Sequence, residues 1–207
     1  MNSKFASCAI LLLLLLMVSG CGNKVRYSIY PDVQHRNVSS IAVLPVGGDE
    51  GIGEGRALMR KIVGETLARS GYAVLTSEEV DKRLPAGLKG GIDGRDKKSL
   101  NAAIGALNVD GFLTVTITEW ATPLLLYYGS ISIKATFELY NRGGERVWRA
   151  KYGVGESDLS ADPDYLQISL HETYEPLVVN LVDRVIATLP PPRRKEGRQK
   201  GHYDWLP

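Results

Sequence analysis

Thiols and imidazoles are scarce in this chain. Among 207 residues there are two cysteines, Cys8 and Cys21, and three histidines, His35, His171 and His202. Cys8 lies in an N-terminal leader expected to be removed and Cys21 would be consumed by acylation, so no disulfide is expected within the folded body, which must stand on its core. Thiolate metal sites are excluded on the same ground. His171-Glu172 opens like a zinc-protease motif, but Glu175 occupies the place of the second histidine, so a surface histidine on a helix is expected and no metal. Charge of one sign is also lacking. The formal net charge is +2, and most of that excess lies beyond Pro190, where Arg193, Arg194, Lys195, Arg198 and Lys200 face only Glu196 and Asp204. The body is slightly acidic, which excludes a basic nucleic-acid-binding face. No Gly-Lys-Ser/Thr sequence is present, so a phosphate-binding P-loop is excluded.

What the chain does have begins at its N-terminus. Lys4 precedes Ala9–Val18, ten apolar residues including six consecutive leucines. A run of that length suits a signal-peptide h-region and is short of the roughly 20 residues that span a bilayer. Val18-Ser19-Gly20-Cys21 then resembles the bacterial lipobox. That resemblance implies diacylglyceryl attachment to the Cys21 thiol and cleavage between Gly20 and Cys21. More than one acyl chain, palmitate among them, is needed for a stable anchor. Gly22, rather than aspartate, follows the cysteine, which favours the outer membrane. The expected organisation is a signal peptide at 1–20, a lipidated polar tether at 21–40, one domain at 41–189, and a basic, disordered tail at 190–207. Within the tether, Tyr27 and Tyr30 either swing freely with the chain or pack on the domain.

The body opens with Ile41-Ala-Val-Leu-Pro-Val46, a nearly continuous apolar run that suits a strand covered on both faces. A helix follows to about Ser70, with Leu58, Met59, Ile62, Val63, Thr66 and Leu67 as one stripe and Gly71 as its C-terminal cap. Tyr72–Thr76 is a second strand, which makes a βαβ unit with parallel strands. Ser77 caps a short helix over 78–84, and another helix spans about 97–107. The pattern then changes to period two. Strands over 110–120, 130–140 and 145–154, with a hairpin turn at Asn141-Arg-Gly-Gly144, form an antiparallel meander. One face of it should meet helices and the other solvent or a partner. A last helix runs to about Leu189, with Pro176 kinking or restarting it. The expected fold class is α/β (α+β): a mixed sheet of about five strands, one βαβ unit followed by the meander, with helices packed on the sheet.

Candidate chemistry is thin. The glycine-rich stretch 47–55 lies where a dinucleotide loop would lie, but Arg56 replaces the third glycine, and Asp49, Glu50 and Glu54 would repel phosphate. A mobile loop is expected there; a small-ligand or enzymatic site built on 47–55 is the alternative. No nucleophile–base–orienter set is visible, so no catalytic residue and no cofactor are assigned. Pro123-Leu-Leu-Leu-Tyr-Tyr-Gly129 is unusual, because a hairpin connection is normally polar. Leu124, Leu125, Leu126, Tyr127 and Tyr128 are either an exposed contact surface for a partner or strand residues that belong to the core.

In order, Ser40-Ile-Ala-Val-Leu-Pro-Val46, Leu67-Ala-Arg-Ser-Gly-Tyr-Ala-Val-Leu75, Leu107–Trp120 and Gly144-Glu-Arg-Val-Trp148 behind a lipobox resemble the outer-membrane lipoproteins typified by a neisserial surface antigen. That family shares the fold of the TolB N-terminal domain and is similar to the periplasmic domain of the curli-secretion lipoprotein CsgG. The resemblance covers about 21–158. It implies a non-enzymatic envelope protein on the periplasmic face of the outer membrane. Its partners would be the membrane through the lipid, an envelope protein, and further copies of itself, since several relatives form oligomers. Beyond its sheet the chain has no hairpins of about ten alternating residues, so it should not form a membrane barrel as the curli channel does. The basic tail departs from the family pattern.

Overall fold

The computed structural model describes residues 24–30, 38–48, 53–122, 124–125, 128–159 and 162–192. Its elements in order are β1 (Arg26–Ile29), β2 (Ser40–Val43), α1 (Gly53–Arg69), β3 (Ala73–Leu75), α2 (Ser77–Arg83), a 3-10 turn (Ala86–Leu88), α3 (Lys97–Ala106), β4 (Gly111–Ala121), β5 (Leu124–Leu125), β6 (Tyr128–Asn141), β7 (Arg146–Leu159) and α4 (Pro163–Ile186). The expected α/β class holds. One sheet of seven strands runs β1-β7-β6-β4-β2-β3, with the two-residue β5 paired to β6. It exceeds the expected five by β1 and β5.

The βαβ unit is present, with β2 parallel to β3 and also parallel to β4 on its other side. Past β2 the chain keeps to β4: Leu44 N–H donates to Leu113 O, and Gly47 N–H to Val115 O, both at 2.9 Å. The terminus of α1 is a Schellman motif. Tyr72 N–H reaches Leu67 O and Gly71 N–H reaches Ala68 O, with Gly71 at φ +92°. The cap of α2 is Thr76 rather than Ser77. Its hydroxyl accepts from Glu79 N–H while the Glu79 carboxylate accepts from Thr76 N–H, a reciprocal capping box that frees Ser77 to enter the first turn.

Two cores lie on opposite faces of the sheet. On one, Met59, Ile62, Val63 and Leu67 of α1, and Leu177, Val178, Leu181, Val182 and Val185 of α4, cover Ile41, Val43, Val115, Ile133, Phe137 and Trp148. On the other, Val80, Leu84, Leu100 and Ala103 cover only Ala42, Leu44, Phe112 and Tyr140. The continuous apolar run of β2 is thus explained by burial on both faces. A bulge between Ile117 and Glu119 resets the alternation of β4 and turns Trp120 to the α4 face, where it stacks on Tyr174 at 5.4 Å between centroids. Pro176 lies inside one continuous helix, α4, which ends at Ile186. β7 runs on to Leu159, five residues past the expected end of that strand at 154.

Of the two readings left open for the tether, the backbone takes the packed one: Tyr30 docks on the domain, while Tyr27 is strand-paired with its side chain 55% exposed. β1 pairs antiparallel with β7, from Arg26 opposite Lys151 to Ile29 opposite Trp148, and Tyr30 N–H donates to Val147 O.

Candidate functional site

Three features of the described residues could carry recognition: an open polar sheet face, a charged cluster at its inner end, and a groove at the far edge.

The open face follows from period-two alternation. α4 lies over Ile133, Ala135 and Phe137, so Ser132, Lys134, Thr136 and Glu138 of β6 point the other way. Cross-strand neighbours on that face are Thr114 and Thr116 of β4 and Arg149, Lys151 and Gly153 of β7. Among the described residues no helix covers its centre. Lys134 Nζ is 2.6 Å from Glu119. Arg26 and Lys151 stand directly opposite each other on β1 and β7. Like charges in that relation repel.

Where the open face meets α3 it closes over a charged cluster. Glu138 is 6% exposed. One of its oxygens lies 2.6 Å from an Arg146 guanidinium nitrogen and 3.3 Å from Arg149 Nε. The Tyr140 hydroxyl is 3.1 Å from the other oxygen and 2.9 Å from Gly94 O, so its single hydrogen serves one of them at a time. Burial, and then the Glu138 charge, push the Tyr140 phenol up to about 12. A second Arg146 nitrogen donates to Tyr30 Oη at 2.6 Å, with the guanidinium 5.1 Å from the Tyr30 ring centroid. Gly94 is required here: a Cβ would come within 2.9 Å of Glu138, Tyr140 and Thr114. The cluster binds the segment after β1 to the β6–β7 hairpin. Sequence reading passed over it, although the register set by the Asn141–Gly144 turn places Arg149 opposite Glu138.

The groove lies beside β3 on the α1 face of the sheet. It encloses about 530 Å³ between Ala57, Gly64 and Ala68 of α1 and Val74, Leu75 and Thr76. Arg60 closes its inner end, 11% exposed, donating to Asp81 at 2.9 Å with a second nitrogen–oxygen contact at 2.8 Å, and donating from Nε to Val43 O.

Of the residues singled out from sequence, Gly20, Cys21, Leu126 and Tyr127 lie outside the described residues. Leu124 and Leu125 pair with Gly129 and Tyr128, so the strands do extend into the 123–129 segment. Tyr128 is exposed, opposite the exposed Leu159. In the glycine-rich stretch, Asp49 and Glu50 lie outside the described residues and Glu54 is exposed at the start of α1. Gly47 and Gly48 have a structural use: Gly48, at φ +136°, lies so close to Ile117 that a Cβ would meet its carbonyl at 2.8 Å.

The sequence matches no protein-family model. It matches no curated protein. Solved structures do resemble the fold. The PelC dodecamer from Paraburkholderia phytofirmans superposes with a TM-score of 0.51 at 17% identity, over 84% of this chain and 100% of that one. The lipoprotein GNA1162 from Neisseria meningitidis gives 0.48 at 21% identity, over 67% and 96%. At these identities the likeness is one of fold.

Proposed function

We propose that this chain is a lipid-anchored protein of the bacterial envelope, held at the periplasmic face of the outer membrane by Cys21. It serves there as a non-enzymatic accessory in transport or assembly. It works through protein contacts and as several copies together. The observation that carries this reading is the fold likeness to PelC, which spans that whole chain and whose structure is a dodecamer. Two features of this chain support it. Val18-Ser-Gly-Cys21 supplies the thiol and the small neighbours that lipidation needs. Among the described residues no helix is long and apolar enough to cross a membrane, so the lipid is the attachment that the sequence offers.

The test has two arms. Mass spectrometry of the mature N-terminus should find an acylated Cys21, and Cys21→Ser should release the protein from the membrane fraction. The detergent-extracted protein should then show a native mass of several chains. A mature chain beginning elsewhere, or a single-chain mass at micromolar concentration, removes the corresponding half of the proposal.

A further inference from the structure

The sheet ends in two short strands, and neither has a neighbour on its outer side among the described residues. At one end is β1, at the other β3. Open edges of this kind invite pairing with another chain. Here the two edges differ, and they complement each other.

The β1 edge is a knob. Val25, Tyr27 and Ile29 alternate onto the α4 face of the sheet, because Tyr27 and Ile29 pair with Ala150 and Trp148 of that core. Val25 packs against the core. Tyr27 is 55% exposed and Ile29 is 45% exposed, since α4 stops short of this edge. The β3 edge is a hole. Val74 packs toward the same face, and the 530 Å³ groove beside it is floored by the small residues Ala57, Gly64 and Ala68, with Lys61 and Glu65 also lining it. Both features therefore lie on one side of the sheet, where a continued sheet would need them.

The charges agree. β1 brings Lys24 and Arg26, both exposed, whereas the β3 edge is flanked by the exposed Glu65, Glu78 and Glu79 against a single exposed lysine, Lys61, in the groove. The strand directions agree as well. β7 runs with β4 and β3, and β1 runs against β7, so a copy continued in the same sense presents β1 antiparallel to β3. Setting Tyr27 opposite Val74 puts Ser28 opposite Ala73 on the other face and carries Lys24 toward the start of α2 with its two glutamates.

We propose that copies of this chain associate head to tail, β1 of one adding antiparallel to β3 of the next, with Tyr27 seated in the groove beside α1 and Ile29 beyond its end, opposite Tyr72. Such a heterologous contact generates a closed ring when its rotation closes. The inference rests on the self-assembly part of the function proposed above and names the surface that performs it.

The test uses the full-length, membrane-extracted protein, in which acylated Cys21 has no free thiol. A Ser28→Cys/Ala73→Cys double variant places the two cysteines within the Cα separation that a disulfide spans. Under oxidation it should give a ladder of linked chains that collapses on reduction, while neither single variant forms the ladder. Tyr27→Glu and Ala68→Glu should each weaken assembly by about tenfold or more, because a carboxylate enters an apolar contact. Circular dichroism and thermal unfolding of the dissociated chain should stay unchanged. If the native mass persists in both glutamate variants, or the double-cysteine chain assembles without cross-linking, this interface is wrong and self-assembly stands on another surface. A single-chain mass for the unaltered protein overturns both.

Discussion

On the parallel side of the sheet, β3, β2 and β4 lie between α1 on one face and α2 and α3 on the other. On the antiparallel side, β6 and β7 have α4 on one face, while the centre of the other face is not covered by a helix among the described residues. The first side is bound by apolar contact in both directions, and β2 is accordingly apolar from Ile41 to Val46. The second is bound by apolar contact below, and above by hydroxyls, cross-strand ion pairs and the Glu138 cluster. One sheet thus combines a closed half, which fixes the fold, with an open half that leaves a polar surface and a free β1 edge for contact.

The comparison can be broken most forcefully from below. Trp148 is fully buried against α4, and Phe112 is its counterpart under α2 and α3. Trp148→Ala and Phe112→Ala should each cost about 3–5 kcal/mol in urea unfolding. Among the described residues the indole N–H of Trp148 is buried without a hydrogen-bond partner, so packing is the expected source of its stabilisation. Trp148→Phe should therefore be much milder than Trp148→Ala. Equal losses would mean that the indole nitrogen matters and that the one-sided half is not held by apolar contact alone.

From above, the sharper probe is Glu138→Gln. It removes the carboxylate that faces Arg146 and Arg149 and leaves two guanidiniums crowded together. Breaking a fully buried pair costs more, but the two arginine side chains are 34% and 30% exposed. Water screens them, and about 1–2 kcal/mol is expected. A double-mutant cycle with Arg146→Gln should return a coupling of about 1 kcal/mol. A coupling near zero would show that the cluster is decoration on a face held from below.

The two halves were unequally legible in the sequence. Continuous apolarity at Ile41–Val46, the stripe of α1 and the alternation of β4, β6 and β7 are one-dimensional signals of burial, and they gave the parallel unit, the meander and the class of fold. β1 was harder because four residues give too few periods, and both of its apolar side chains remain half exposed in the single chain. β5 is shorter still. The Glu138 cluster joins residues from 30 to 149 and depends on strand register, which spacing along the chain does not reveal. The groove is floored by Ala57, Gly64 and Ala68, small residues on the β3 side of α1, a property that a search for hydrophobic stripes passes over. Cys21 was the reverse case: its reading rests on local sequence alone and needs no fold.

The smallest effect concerns the carboxylate of the closed half. Asp110 precedes β4 and latches the start of β2. One of its oxygens accepts from Ser39 N–H at 3.2 Å, Ser40 N–H at 3.0 Å and both serine hydroxyls at 2.8 Å, and Asp110 N–H donates to Ser40 Oγ at 2.9 Å. Partial burial acts to raise its pKa, but these donors outweigh it and hold the carboxyl below its ordinary value. A depressed folded-state pKa means that the contribution is fully present above the unfolded value of about 3.9 and is lost as pH falls through the folded value. Asp110→Asn should thus cost about 1 kcal/mol at pH 7, since asparagine still accepts hydrogen bonds but carries no charge. The gap between the two proteins should narrow toward zero as urea midpoints are followed below pH 4. A gap that stays constant with pH would mean that the latch works by shape rather than by charge. The latch at the start of β2 would then owe nothing to charge, in contrast with the Glu138 cluster.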